Sequence, residues 1–281
     1  MNSQESSVGR GLIKNPVAVI GCGNMGAKLV NAISAGFDGR TVFAVDPDVQ
    51  GAARRIKPNH QIRIIPNFSH LEGEIPTAII LAVEPALISS VVKQLRNVLA
   101  NTTLISVAAG ISTEKLRALL PSSAKLVRAM PNLAVAVHEA MIVAYSPPQN
   151  SLSTEDVQVV EDIFKGAGRL EWVQNERYLD VSTAVSGSGP AYFFAFVQAL
   201  QGAAENLGLP TDLAITLSRQ VCIGAGRILA EDTRGASELL RAVSSPGGTT
   251  ESGMAVLNDG LSELVHQTVQ AAYHRALTLV K

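Results

Sequence analysis

Two glycine-rich clusters hold the groups that could do chemistry in this chain, and both are suited to anions. The first is Gly21-Cys22-Gly23-Asn24-Met25-Gly26. In a G-x-G-x-x-G spacing the first glycine makes a tight turn, the second lets a pyrophosphate approach the backbone, and the third lets helix and strand pack closely. The phosphate then sits on a helix N-terminus. The pattern is weak alone, but here it follows a short apolar run, Val17 to Ile20, and opens a segment of helical spacing, Asn24 to Ala35, as the mechanism requires. Cys22 reads as a small turn residue, and Met25 as a packing residue whose backbone, not its sulfur, faces the ligand. The second cluster is Ser244-Ser245-Pro246-Gly247-Gly248-Thr249-Thr250. Glycines there can turn backbone N–H groups toward a carboxylate or phosphate just ahead of a helix; an ordinary loop and helix cap is the alternative.

Elements that could position these groups fall into two halves. From Pro16 to about Val173, short apolar runs alternate with helical stretches, which predicts a parallel sheet covered by helices on both faces. Candidate strands are Val17 to Ile20, Thr41 to Val45, Ile62 to Ile65, Thr77 to Val83, Thr103 to Val107, Lys125 to Ala129 and Met141 to Tyr145, with Leu170 to Val173 as an edge strand. Helical spacing also runs over Ala86 to Leu99, and Ser153 to Lys165 begins with a cap and an acidic first turn. After Asn175 strand-like runs vanish, and helical segments are broken at Gly208-Leu209-Pro210, Gly235 and Ser244 to Gly248. The expected organisation is a tail over residues 1–15, a dinucleotide-binding α/β domain over 16–174 and an all-helical domain over 175–281. Small residues such as Gln201-Gly202-Ala203-Ala204 and Gly224-Ala225-Gly226 suit an interlocked helical dimer and a monomeric bundle about equally.

Asp46, at the end of the second candidate strand, is placed to accept hydrogen bonds from a ribose and to repel a 2′-phosphate. NADH is therefore favoured over NADPH, although Arg54 and Arg55 could turn toward a phosphate; a turn cap before Pro47 is the structural alternative. A chain of 281 residues, 47% hydrophobic with net charge −1, can bury real cores and lacks the basic footprint of a nucleic-acid binder. Cys22 and Cys222 are far apart, and neither they nor the five histidines show metal-ligand spacing, which points to reduced thiols and a cytoplasmic setting. No uninterrupted apolar run is long enough to span a bilayer, so a soluble protein is expected.

Four further segments fit one pattern: Leu81-Ala82-Val83-Glu84-Pro85, Arg128-Ala129-Met130-Pro131-Asn132, Ser186-Gly187-Ser188-Gly189-Pro190-Ala191-Tyr192 and the Ser245 to Thr250 stretch. With the first glycine cluster they resemble pyrroline-5-carboxylate reductase, in order and spacing from about Val17 to the C-terminus. The resemblance implies an α/β Rossmann-type doubly wound sheet followed by an all-α dimerisation domain, and homodimers that build higher oligomers. It also implies NAD(P)H-dependent reduction of a small cyclic imino acid, 1-pyrroline-5-carboxylate, to proline. Carried over by position, Gly21 to Gly26 match the phosphate loop, and Asn67 a polar position near the adenosine ribose. Ala82, Val83 and Pro85 match the loop passing the cofactor, Ala109 and Gly110 follow the next strand, and Asn132 stands close to the nicotinamide. Ser245, Gly247, Gly248 and Thr249 match the loop that receives the substrate carboxylate, and Thr250 the hydroxyl that hydrogen-bonds the ring nitrogen.

The Ser186 to Gly189 stretch is also explained by close packing and capping ahead of a long helix. Tyr192, Phe193, Phe194 and Phe196 read as core and dimer packing, and His138 and Glu139 as a solvated pair in a turn rather than an acid and base. Four departures stand out. Glu84 occupies a usual lysine position and again disfavours an extra phosphate, Leu133-Ala134 replaces a common Thr-Pro, Glu251 puts a carboxylate directly after Thr250, and Gln198 and Gln201 occupy a helix stretch commonly acidic in the family. They leave room for a paralogue that reduces another cyclic imine, or for a catalytically silent NADH-binding protein. A β-hydroxyacid dehydrogenase, which shares the first motif, needs a lysine early in its helical domain; none occurs between Lys165 and Lys281.

Overall fold

The computed structural model describes residues 16–36, 39–71, 73–96, 98–99, 102–149 and 152–279. The expected tail over residues 1–15 lies outside them. The chain divides into two compact units, one running to Leu179 and including Leu279, the other Asp180–Thr278.

In the first unit, short Val-, Ile- and Ala-rich runs form eight strands: β1 (Val17–Ile20), β2 (Val42–Val45), β3 (Ile62–Ile65), β4 (Ala78–Leu81), β5 (Thr103–Ser106), β6 (Lys125–Met130), β7 (Ala140–Tyr145) and β8 (Gly168–Trp172). Each lies within a residue or two of its expected ends. They make one sheet in the order β3-β2-β1-β4-β5-β6-β7-β8, with β8 at the edge. The helices are α1 (Asn24–Gly36), α2 (Val49–Arg55), α3 (Ile88–Leu95), α4 (Thr113–Leu119), α5 (Thr154–Lys165) and α6 (Arg177–Ser182), the last crossing into the second unit.

The central strands β1, β2 and β4 are buried on both faces, which explains why they are apolar throughout, whereas the edge strand β8 alternates, with Arg169 and Glu171 exposed. On one face Val19, Ala44, Ile80 and Ile105 pack with Leu29 and Ile33 of α1 and Ile163 and Phe164 of α5. On the other, Phe43, Ile79, Leu81 and Leu104 pack with Ile88, Val92 and Leu95 of α3 and Leu116 of α4. Ser153 caps α5 as expected: its hydroxyl accepts from the Asp156 N–H at 3.2 Å, and the Asp156 carboxylate accepts from the Ser153 N–H at 2.8 Å.

Two expectations fail here. The sheet is not fully parallel, because β7 runs antiparallel to β6. Only the stretch from Pro131 to Glu139, with one 3-10 turn over Leu133–Val137, joins them; a parallel crossover needs a dozen or more residues, usually a helix. The helix expected over Ala86 to Leu99 begins instead as a 3-10 turn, Pro85–Leu87, and is α-helical only over Ile88–Leu95. Pro85 lacks an N–H and suits the first turn, while the chain closes at the other end with the Val98 N–H donating to Leu95 O at 2.9 Å.

The second unit is all helix, as its composition predicts: α7 (Gly189–Asn206), α8 (Thr211–Glu231), α9 (Ala236–Val243), α10 (Thr249–Asn258) and α11 (Leu261–Leu279). It buries little within the chain. Phe193, Phe194 and Phe196 on α7 are exposed, Phe193 at 63%, so they are not core residues of this unit. By length and composition alone α8 could cross a membrane, but Arg219 and Arg227 interrupt it, so it is not the uninterrupted apolar run whose absence was expected. The Gly-Ser-Gly stretch also differs from expectation. Thr183–Gly187 is a π-helical turn, and Ser188 makes no side-chain cap, because the backbone enters α7 already helical and offers no N-cap geometry. Tyr192 donates to Ala184 O at 3.0 Å and ties that turn to α7.

Candidate active site

The ends of β1, β2 and β4 build the first candidate site. Gly21, just after β1, has φ 90° and donates its N–H to Val45 O at 2.9 Å. A Cβ on Gly21 would lie 2.8 Å from Ala82 O, one on Gly26 would collide with Gly21 O, and one on Gly23 would meet open space. The first and third glycines are thus demanded by the chain's own backbone. The second leaves room for something outside the chain, directly before α1 begins at Asn24. Met25 packs against the core.

Asp46 does more than the sequence suggests. One carboxylate oxygen accepts from the Cys22 N–H at 2.7 Å and the other from the Asp48 N–H at 2.9 Å, so it straps the glycine loop to the end of β2 as well as capping its own turn. The Arg55 guanidinium reaches Cys22 O at 3.4 Å. Burial, then the Asp46 charge, push the Cys22 thiol up to about 12 against the opposing pull of Arg55, which leaves it a protonated packing group.

A cavity of about 520 Å³ opens beside this loop. Gly21 and Gly23 line one part, Asp46 and Asn67 another, and Ala82, Val83 and Glu84 a third. Asn67 spends its carbonyl oxygen on Ser69 and His70, and its amide NH₂ makes no hydrogen bond among the described residues. The lining contains two acidic side chains, Asp46 and Glu84, and among the described residues no lysine or arginine. Phe68 and Leu87 also line it and went unread as site residues in the sequence; each is an apolar residue in the 3-10 turn that follows a strand.

Other expected cofactor positions do not line this cavity. Cys22 and Gly26 are buried, while Asn24 and Met25 belong to the first turn of α1. Pro85 opens its 3-10 turn, and Ala109 and Gly110 follow β5. Asn132, after β6, accepts from the Ala134 N–H at 3.1 Å and caps the turn that contains Leu133 and Ala134. His138 is exposed but not merely solvated: it adopts φ 63°, and its Nδ1 lies 2.6 Å from Gly166 O, a carbonyl that can only accept, so Nδ1 is the donor.

Sequence reading also missed a buried polar cluster. Arg128 on β6, 3% exposed, pairs with Glu176 at 2.5 Å. The same carboxylate accepts from the Thr113 N–H at 2.7 Å and the Thr113 hydroxyl at 2.6 Å. Burial would raise the Glu176 pKa, but these hydrogen bonds and the Arg128 charge outweigh it and hold the carboxyl below its usual range.

In the second unit, the second glycine cluster forms the loop before α10. Gly247 takes φ 71°, Gly248 is the N-cap residue without a side-chain cap, and Thr249 and Thr250 open the helix with exposed side chains. A Cβ on Gly248 would lie 2.6 Å from the Ser245 hydroxyl, and the Gly248 N–H donates to Ser245 O at 3.0 Å. The Gly247 N–H donates to the Glu251 carboxylate at 2.7 Å.

Residues 176–279 match the family model described as "Pyrroline-5-carboxylate reductase dimerisation", and residues 16–110 match "NADP oxidoreductase coenzyme F420-dependent". The chain is 33% identical over 266 residues to the pyrroline-5-carboxylate reductase of Haemophilus influenzae, covering 92% of this chain and 96% of that one. It belongs to the pyrroline-5-carboxylate reductase family. Among solved pyrroline-5-carboxylate reductases, the Coxiella burnetii structure matches with TM-score 0.87 and 30% identity over 95% of this chain and 99% of that one. The Plasmodium falciparum pyrroline carboxylate reductase, solved with NADP bound, matches with TM-score 0.80 and 26% identity over 96% and 100%. The fold of this reductase family therefore accounts for both the Rossmann-type sheet and the helical unit.

Proposed function

We propose that this protein reduces the C=N bond of 1-pyrroline-5-carboxylate to give L-proline. The observation that carries the reading is the division of labour in the first glycine cluster, where Gly21 and Gly26 are fixed by backbone contacts and Gly23 faces open space at a helix N-terminus. That cradle fits a dinucleotide pyrophosphate. Asp46 and Asn67 would hold the adenosine ribose, Ala82, Val83, Glu84 and Pro85 would flank the cofactor, and Ala109, Gly110 and Asn132 would face its nicotinamide end. When bound, the cofactor supplies a hydride to the imine carbon.

The chain's own residues bind and orient. We assign cofactor binding to the first unit, and substrate binding and dimerisation to the second. Backbone N–H groups of the Ser245 to Thr249 loop hold the substrate carboxylate, and the Thr250 hydroxyl steadies the ring nitrogen. A protonated cyclic imine is already electrophilic, so the chain need supply no strong acid, and positioning carries most of the rate. Two acidic groups in the cofactor cavity, with no cation facing them among the described residues, support NADH over NADPH. Exposed apolar side chains on α7 and α8, such as Phe193 and Val221, support a homodimer through the helical unit, and dimers of this kind can build larger oligomers. Two cysteines far apart in sequence and without a disulfide between them support a cytoplasmic enzyme.

Oxidation of NADH and NADPH followed with pyrroline-5-carboxylate, the six-membered piperideine carboxylate and pyrroline-2-carboxylate tests this reading. Turnover is expected to be fastest on the first with NADH. Thr250→Ala should lower kcat/KM about tenfold, the equivalent of one hydrogen bond of about 1.4 kcal/mol. Tight NADH binding without turnover on any imine would refute the assignment, and an unchanged Thr250→Ala enzyme would refute that residue's role.

A further inference from the structure

The Gly247 N–H already has a carboxylate on it. Glu251, in the first turn of α10, folds back so that its Oε2 accepts from Gly247 N at 2.7 Å. Gly247 holds φ 71°, a conformation suited to glycine that turns its N–H out of the run of the chain. No cation pairs with Glu251 among the described residues, and both partners of this hydrogen bond are exposed. The side chain therefore gains no apolar burial from this pose; it answers an N–H that a bound carboxylate could also use. At the loop's entrance, the Ser244 hydroxyl is buried without a hydrogen-bond partner among the described residues, so the loop keeps further polar capacity in this state.

We propose that Glu251 is a specificity-determining residue, a tethered carboxylate that competes with the substrate carboxylate for the loop and must swing away before the substrate can seat. This rests on the reading of the Ser245 to Thr250 loop as the substrate-carboxylate site. Competition of this kind raises the apparent KM by one plus the ratio of closed to open loop. It penalises ligands that enter through a carboxylate and spares those that do not. Thr249 and Thr250, on the first turn of α10, are not held by Glu251 and remain available in both states.

The test compares wild type, Glu251→Gln and Glu251→Ala on two substrates, 1-pyrroline-5-carboxylate and 1-pyrroline, the same ring without the carboxylate. The expected result is a three- to tenfold lower KM for the carboxylate substrate in Glu251→Ala and a smaller fall in Glu251→Gln, whose amide oxygen is a weaker acceptor. KM for 1-pyrroline and for NADH should stay within twofold of wild type. A saturated five-membered ring carboxylate, used as an inhibitor, should bind the Ala variant three- to tenfold more tightly. If Glu251 serves only to cap α10, both variants lower Tm and leave these constants unchanged, which overturns the proposal; so does a rise in KM for the carboxylate substrate. Should Glu251→Ala fold poorly, Glu251→Gln alone decides, since it keeps an acceptor for the Gly247 N–H. Wild type with no imine reduction at all would instead overturn the functional reading beneath.

Discussion

Removing the Glu176 carboxylate should unfold the protein more readily than any surface substitution. Glu176→Ala deletes three hydrogen bonds, two to Thr113 and one to Arg128, and leaves the Arg128 guanidinium 3% exposed without its anion. Breaking a buried pair by removing one partner costs ~3–5 kcal/mol. Because the Glu176 side chain is itself 25% exposed, water can partly replace it, and the lower end applies, about 3 kcal/mol. For a domain of this size that is a fall in Tm of roughly 6–12 °C. Glu176→Gln keeps an oxygen for the Thr113 N–H but no charge for Arg128, and should lose about half as much. The pH dependence has a fixed sign. The folded pKa of Glu176 is depressed below 4.5, so its contribution is present above that pH and is lost as pH falls from there through the folded pKa. Asp156, held down in the same direction by Lys125 and Ser153 against its own burial, contributes equally to both proteins. Urea unfolding at a series of pH values should therefore show the gap between wild type and Glu176→Gln closing below pH 4.5. A gap under about 0.5 kcal/mol at pH 7, or one that widens on acidification, would refute the argument.

Gly26→Ala should lose cofactor binding and at least about 2 kcal/mol of stability, because the added methyl meets the Gly21 carbonyl, a backbone atom with no rotamer to escape into; NADH titration by fluorescence and thermal unfolding measure the two losses. Glu84→Lys reverses one exposed charge at the cofactor cavity and should lower the ratio of KM for NADPH to KM for NADH about three- to tenfold, in line with ~1 kcal/mol for a solvent-screened pair. Steady-state kinetics with both cofactors decide it.

Elements with strong local causes were legible in the sequence. All eight strands, the cap at the start of α5, and the breaks at Gly208 to Pro210, Gly235 and Ser244 to Gly248 follow from apolar runs, a serine before an acidic first turn and glycine or proline punctuation, whereas the break at Asp259 and Gly260 between α10 and α11 went unread. The antiparallel β7 was harder, since strand direction depends on the length of the connection rather than on the strand's residues. The Arg128, Thr113 and Glu176 cluster was invisible because its members are brought together by the sheet and α4 across as many as 63 positions. In the candidate site, glycines whose role is set by their own turn were readable. Asp46 was read for its ligand and not for its loop, because its bond to Cys22 spans 24 residues. Glu251 was seen as a charge near the substrate loop, but only the helix geometry shows which N–H it takes.

The strap between Asp46 and Cys22 has a consequence for how this enzyme can change over evolutionary time. A carboxylate that repels a 2′-phosphate is the natural target when a lineage drifts from one dinucleotide to the other. Here the same two oxygens hold the Cys22 and Asp48 amides, so, on the proposed reading, a mutation at Asp46 that relaxed discrimination would also slacken the loop assigned to the pyrophosphate. The two traits are bound into one residue and cannot be selected apart. A lineage adapting to a phosphorylated cofactor would then keep Asp46 and accumulate its changes across the cavity at Glu84 or on α2, where Arg54 stands beside Arg55, whose guanidinium already reaches Cys22 O.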